Sequence, residues 1–353
     1  MQAGPVYTTM PSLWEYYETF PRQLAFHARS VEEWARWREA LYRQLVDLLG
    51  GFPSERPPLQ ATVLASRDET DYRWEKVAFQ SEPDVYVPCY VLIPHRSSPP
   101  YRPVIALHGH GSGGVAHVVG LVVDEANRVA EENHIREYNY DYGRQLAQRG
   151  FMVFAPEQRG FGERMEARPD KMAGDPIWLN SCRTVALNAL LLGKTAIGLR
   201  VWDVMRTVDY IRSRPEAMIS GVGCLGLSGG ATTTLFAMAL ESRLTVSVIS
   251  GYFNTFRASI MARRHCECNY IPNILKYAEM SDIAGLIAPR PLLVESGTKD
   301  DDFPIEGARS AYRQLQRVYE LLGVPERLDI DVFPGGHQFS GRKAFAWLDR
   351  WLY

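Results

Sequence analysis

The sequence predicts an α/β fold: a mostly parallel central sheet flanked by helices, with a helical N-terminal extension. Two observations carry this reading. Beyond Arg102, short apolar runs alternate with longer helical stretches, as in strand–helix–strand units covered on both faces. Runs such as PVIAL and PLLVE are apolar throughout, which suits central parallel strands rather than half-exposed ones.

Residues 12–50 read as helical. Apolar and aromatic positions recur at three- and four-residue steps through Trp34, Trp37, Leu41, Leu45 and Leu48, and Gly50-Gly51 supplies a stop. Three prolines in GFPSERPPL then break the chain, and from Ala61 the pattern changes to period two. ATVLAS, YRWEKVAFQ and DVYVPCYVLIP resemble successive antiparallel strands. The apolar runs that follow are PVIALHG (103–109), FMVFAPE (151–157), VGCLGLS (222–228), VSVISG (246–251), PLLVESG (291–297) and LDIDVFPG (328–335). We divide the chain into a helical extension, 1–60, packed on one large α/β domain, 61–353. Two intervals exceed what a crossover needs. Residues 158–220 include a long helix through TAIGLRVWDVMRTVDYIRSR, and residues 252–288 include RRHCECNYIPNILKY. Excess length of this kind often builds pocket walls. Whether 252–288 moves as a lid stays open.

Composition narrows the function classes. The net charge of −2 argues against a nucleic-acid binder, which usually carries a large basic face. The first twenty residues lack the basic and apolar regions of a secretory signal, and no window offers eighteen uninterrupted apolar residues, so a membrane partner is not expected. Five cysteines, at 89, 182, 224, 266 and 268, are scattered and odd in number, as expected in a reducing compartment. The expectation is a cytoplasmic protein with a small-molecule substrate. Its oligomeric state is open, with a homo-oligomer among the options.

Four segments carry chemistry. Gly226-Leu227-Ser228-Gly229-Gly230 is a weak motif alone, but it lies between the apolar VGCLGL and a small-residue helix start. That is the strand–turn–helix setting of a nucleophile elbow, whose turn is so sharp that the residues two before and two after the serine must be small. The bland reading is that Ser228 caps the helix. His108-Gly109-His110-Gly111-Ser112-Gly113-Gly114 follows PVIAL and can turn backbone N–H groups toward the site. The backbone N–H groups of His110 and Gly229 are the expected oxyanion donors. A flexible turn, a phosphate loop and a metal site on His108 and His110 compete. The second lacks the Gly-Lys-Ser/Thr ending, and the third lacks nearby acidic partners.

Gly297-Thr298-Lys299-Asp300-Asp301-Asp302 follows PLLVES, where an acid can orient a base, although acid runs are usually solvated. A three-aspartate metal site is disfavoured because adjacent side chains point in different directions. Phe333-Pro334-Gly335-Gly336-His337 puts a histidine on a glycine-rich loop after the last strand. The chain order Ser228, then an aspartate, then His337 is that of α/β-hydrolases. His337 would take the Ser228 proton, Asp300 would orient the imidazole, and an acyl-enzyme would form without a cofactor or metal.

On these strings, and on APEQRGFGER, SGYFNTFRASI, HCECNYIP and DIAGLIAPRPLLVESGTKDDDFPIEGA, the chain resembles the acetyl xylan esterase-like and dienelactone-hydrolase-related branch of the α/β-hydrolases. The resemblance covers about two thirds of the chain and implies the α/β-hydrolase fold and short-acyl ester cleavage. The group's Gly-x-x-Asp-x-x-x-Pro pattern falls on Gly297, Asp300 and Pro304, which favours Asp300 with Asp301 in reserve. Dienelactone hydrolases proper use a cysteine where this chain has Ser228, so ordinary ester cleavage is the expectation. A prolyl-oligopeptidase-like serine peptidase and a non-catalytic ligand-binding protein are the alternatives. His265-Cys266-Glu267-Cys268 invites a metal reading but lacks a second pair at zinc-finger spacing; we expect a packing role, with a redox thiol next. Trp178, Tyr252 and Phe253 are either pocket or core.

Overall fold

The computed structural model describes residues 7–111, 113–166 and 179–353. Its sheet has nine strands: β1 Thr62–Asp68, β2 Tyr72–Glu82, β3 Val85–Pro94, β4 Pro103–Leu107, β5 Met152–Pro156, β6 Val222–Leu227, β7 Leu244–Ser250, β8 Leu292–Gly297 and β9 Leu328–Phe333. Their spatial order is β1-β2-β3-β5-β4-β6-β7-β8-β9. The pairs from β1 to β3 and the β3–β5 pair are antiparallel; all pairs from β5 through β4 to β9 are parallel. Strand order therefore reverses at β4, which has β5 on one side and β6 on the other. The crevice outside the carboxyl ends of strands at such a reversal is where open α/β sheets bind ligands.

Side chains of the parallel strands alternate between two apolar layers. Ile105 and Leu107 of β4, with Met152 and Phe154 of β5, face the layer built with helices Val31–Leu48, Ala196–Ser213 and Gly229–Leu240. Val104, Ala106, Val153 and Ala155 face the opposite layer, with helices Tyr142–Gln148 and Ala344–Trp351. Both faces being covered explains why these strands read as unbroken apolar runs.

One expectation needs correction. The helical stretch 12–50 is two helices, Met10–Thr19 and Val31–Leu48. Pro21 cannot continue the first, and Ser30 restarts the second by accepting the Glu33 N–H (3.2 Å) while Glu33 accepts the Arg29 N–H (2.8 Å). Strand β1 lies where ATVLAS is expected and, at the sheet edge, is exposed along its whole length. Among the described residues no single helix is long and apolar enough to cross a membrane.

Helix Val31–Leu48 is integral to the core, since Leu41 and Leu45 are fully buried and Trp37 meets Phe26 edge-on at 5.0 Å. Truncating Leu45 leaves a cavity, so Leu45→Ala is expected to cost about 2–5 kcal/mol by urea denaturation. Leu191→Ala, at a position 85% exposed, should stay within about 0.5 kcal/mol of wild type. Equal small effects would mean that the extension is only loosely applied to the core.

Candidate active site

The elbow is built from backbone crowding. Ser228 stands between β6 and helix Gly229–Leu240 at φ +56°, ψ −119°. A Cβ at Gly226 would lie 2.4 Å from the Gly230 carbonyl carbon, and one at Gly230 would lie 2.0 Å from the Leu107 carbonyl oxygen. Neither position tolerates a side chain. Ser228 donates its N–H to the Ser250 carbonyl at 2.9 Å, so β7 anchors the turn. Its carbonyl accepts the Thr232 N–H (2.9 Å), which starts the helix. The conformation costs about 1–3 kcal/mol, a strain held in place by both neighbouring strands. The Gly229 N–H, first in the helix, has no acceptor within it and adds to the positive helix end beside the serine.

Asp300 and His337, the candidate acid and base, sit on loops after the adjacent strands β8 and β9. Asp300 is 4% exposed. Its Oδ1 accepts the N–H groups of Asp302 and Phe303, both at 2.9 Å, and its Oδ2 lies 2.8 Å from His337 Nδ1. Asp301 is exposed, and Asp302 turns to Arg263 at 3.5 Å. Of the three aspartates, then, Asp300 is the one that meets the histidine. With Nδ1–H donated to Asp300, Nε2 of His337 is left as the acceptor nitrogen. The ring stacks on Phe303 at 5.7 Å and lies over Gly251, where a Cβ would stand 3.2 Å from its Cε1. Ser228 and His337 border one cavity of about 470 Å³.

The loop after β4 passes against the elbow, so that a Cβ at Gly109 would stand 3.1 Å from that of Ser228. Gly109 donates its N–H to the Tyr140 hydroxyl at 2.5 Å. His108 is fully buried, its Nδ1 2.8 Å from the Gly109 carbonyl and its Nε2 3.0 Å from the Gln158 N–H. It therefore braces the loop and does not reach the cavity. His110 does border the cavity, but its ring turns away toward Cys268, with Nε2 3.1 Å from that sulfur. Ser112 of the same loop lies outside the described residues.

The cavity wall includes groups that sequence patterns do not mark. Tyr138 and Tyr140 follow helix Arg128–Glu137, and Arg183, Arg264, Glu267 and Asn269 come from the two long intervals. A Tyr-x-Tyr after a helix has no chemical signature that could have found it. Tyr252 and Phe253 are buried at 1% and belong to the core. Trp178 lies outside the described residues.

Below His337, Glu295 is fully buried in β8 and its oxygens accept the N–H groups of Ser340 (3.2 Å) and Gly341 (3.0 Å). It thereby fastens the loop carrying the histidine. Burial, with Asp331 nearby, pushes its carboxyl up from 4.5 to about 7. The folded chain thus holds a proton that the unfolded chain loses near pH 4.5, so stability falls as pH rises from 4.5 through 7. A Glu295→Gln variant lacks this titration. The difference in unfolding free energy, wild type minus variant, should decline across that window by on the order of 3 kcal/mol. Parallel pH profiles for the two proteins would refute the assignment.

Comparison with known proteins agrees with this architecture. The family described as "Abhydrolase family" (Abhydrolase_7) matches residues 15–343. "Putative hydrolase YtaP" of Bacillus subtilis (strain 168) is 24% identical over 316 residues, spanning 88% of this chain and 98% of that protein. Among solved structures, the "putative acetyl xylan esterase (BF1801)" of Bacteroides fragilis NCTC 9343 superposes with a TM-score of 0.76 at 18% identity, covering 94% of this chain and 84% of that one. A glucuronoyl esterase from Solibacter usitatus gives 0.68 at 14% identity, covering 98% and 96%. At these identities the structural likenesses speak for the fold. The family match extends over nearly the whole chain, which therefore belongs to the Abhydrolase_7 family and has the α/β-hydrolase fold.

Proposed function

We propose that this protein is a serine hydrolase of carboxylic esters that works through an acyl-enzyme at Ser228. The observation that carries the reading is the joint placement of Ser228 and His337 on one cavity, with His337 held by buried Asp300 at 2.8 Å. His337 takes the Ser228 proton as the hydroxyl attacks the acyl carbon and later returns a proton to the leaving alcohol. Asp300 fixes the tautomer and stabilises the imidazolium. The Gly229 and His110 amides serve the oxyanion, each worth about 3–4 kcal/mol in the transition state. Water then releases the acyl group.

The walls support small acyl esters of polar alcohols. Leu227, Phe303 and Tyr138 offer apolar contact, while Arg183, Arg264, Glu267, Asn269 and Asp302 supply a polar side suited to hydroxyl-bearing compounds such as sugars. The named esterases that share the fold fit this reading.

Hydrolysis of p-nitrophenyl esters from acetate to decanoate tests it. Wild type should favour acetate, and Ser228→Ala should abolish turnover at every chain length. Asp300→Asn is expected to lower kcat by about 10⁴-fold through the wrong imidazole tautomer, whereas Asp301→Asn should leave it near wild type. Turnover that survives in Ser228→Ala would remove the serine mechanism, and a decanoate preference would remove only the short-acyl part.

A further inference from the structure

Three of the five cysteines and one histidine meet beside the nucleophile. Cys182 opens helix Cys182–Leu191, Cys266 caps and Cys268 lies within the single turn Glu267–Asn269, and His110 comes from the loop after β4. Cys182 and Cys266 bring their Sγ atoms to 3.2 Å. His110 Nε2 lies 3.1 Å from Cys268 Sγ and 3.7 Å from Cys182 Sγ. All four donor atoms are within 4.8 Å of one another.

We propose that His110, Cys182, Cys266 and Cys268 form a structural zinc site that ties the oxyanion loop to the cavity wall. Three thiolates and an imidazole are a structural zinc donor set, closed at four protein ligands. A tetrahedral ion with Zn–S near 2.3 Å and Zn–N near 2.0 Å spaces its ligand atoms about 3.5–3.8 Å apart, which is the scale of this cluster. Soft sulfur donors favour zinc over hard cations such as magnesium or calcium.

The surroundings match the charge of such a site. A dication with three thiolates carries a net charge of −1. Arg200 is 1% exposed, and its Nη2 stands 2.9 Å from Cys182 Sγ. Among the described residues it pairs with no carboxylate; its other contacts are the Arg159 carbonyl at 3.0 Å and the face of Phe161. A buried guanidinium needs an anion, and the thiolates are the one it faces. Phe161, Ala186 and Ala196 pack an apolar shell around the sulfurs.

A Cys182–Cys266 disulfide is the competing use of the close sulfur pair. It leaves the convergence of Cys268 and His110 unexplained, whereas the zinc site uses all four groups. The site also accounts for the ring of His110, which lies so close to Gly229 that a Cβ there would meet Nδ1 at 2.5 Å. Ligation fixes that ring between the metal and the elbow, and so fixes the loop that carries the His110 amide.

The proposal is independent of the catalytic reading and is tested by metal content. Wild type purified from zinc-supplemented medium without chelating steps should contain about one zinc per chain by plasma mass spectrometry. Titration with an organomercurial should release that zinc, as read by a chromogenic chelator. Cys266→Ser should lose it and Cys224→Ser, in the sheet core, should keep it. If Cys266→Ser does not fold, the wild-type stoichiometry and mercurial release decide alone. Zinc-free wild type, iron in place of zinc, or an intact mass two hydrogens below the reduced value with a Cys182–Cys266 crosslink would each overturn the proposal.

Discussion

The site depends on a single point of backbone crowding, where Gly226, Gly230 and the Leu107 carbonyl leave no room for side chains. Because β4 and β6 are parallel neighbours at the reversal of strand order, the carboxyl end of one is pressed against the turn leaving the other. Ser228 can leave β6 and enter a helix at once only by adopting positive φ, and that conformation aims its side chain into the crevice. The β4 loop has to pass over the same turn, which brings Gly109 beside Ser228 and His110 beside Gly229, while the His110 ring turns to Cys268. A Cβ at Gly226 would press on the helix start at Gly230 and Ala231, and one at Gly230 on the β4 end at Leu107 and His108.

A second regularity holds the remaining loops. Buried carboxyl groups accept backbone N–H groups at four loop turns: Asp300 from 302 and 303, Glu295 from 340 and 341, Glu131 from 123 and 124, and Glu279 from 256 and 280. A buried carboxyl group left without such hydrogen-bond partners would be costly. Asp300 and Glu295 thereby fix the loops carrying residues 302–303 and His337, where strands and helices no longer supply partners. Asp300 serves two roles at once, with one oxygen folding its own loop and the other holding His337. Substituting it disturbs position as well as charge.

Much of this was legible from the chain alone, and the reason is locality. The parallel strands announce themselves as apolar runs, and the elbow, the acid and the histidine each follow a strand directly, so their place at the carboxyl edge follows from the strand assignment. Choosing Asp300 over Asp301 needed the resemblance, because three consecutive aspartates look alike until the turn that buries one of them is seen. The break at Pro21 was overridden by the periodicity on either side. Tyr138, Tyr140 and Cys182 were invisible as site residues, since they reach the cavity or the sulfur cluster through segments whose paths no local pattern sets. The histidine next to the Cys-x-Cys pair was the natural partner on spacing. Yet His265 turns to Phe303 at 5.2 Å, and His110, more than 150 residues away, meets the sulfurs instead.

That exchange of histidines bears on how the cavity divides its chemistry. His110 and His337 both stand at the rim of Ser228's cavity, and a free imidazole beside a serine is a candidate base. Only His337 has a carboxylate at Nδ1, which sets the tautomer a general base needs. His110 presents Nε2 to sulfur, and if that nitrogen is committed to a metal it has no lone pair left for a proton. In the proposed mechanism its contribution to catalysis then passes through its backbone, as an amide held in place before the oxyanion forms. Preorganised donors need no reorganisation at the moment of reaction, and a loop rich in glycine is poorly suited to staying still unaided. Anchoring the His110 side chain, in addition to the buried His108 that already braces the loop, resolves that conflict.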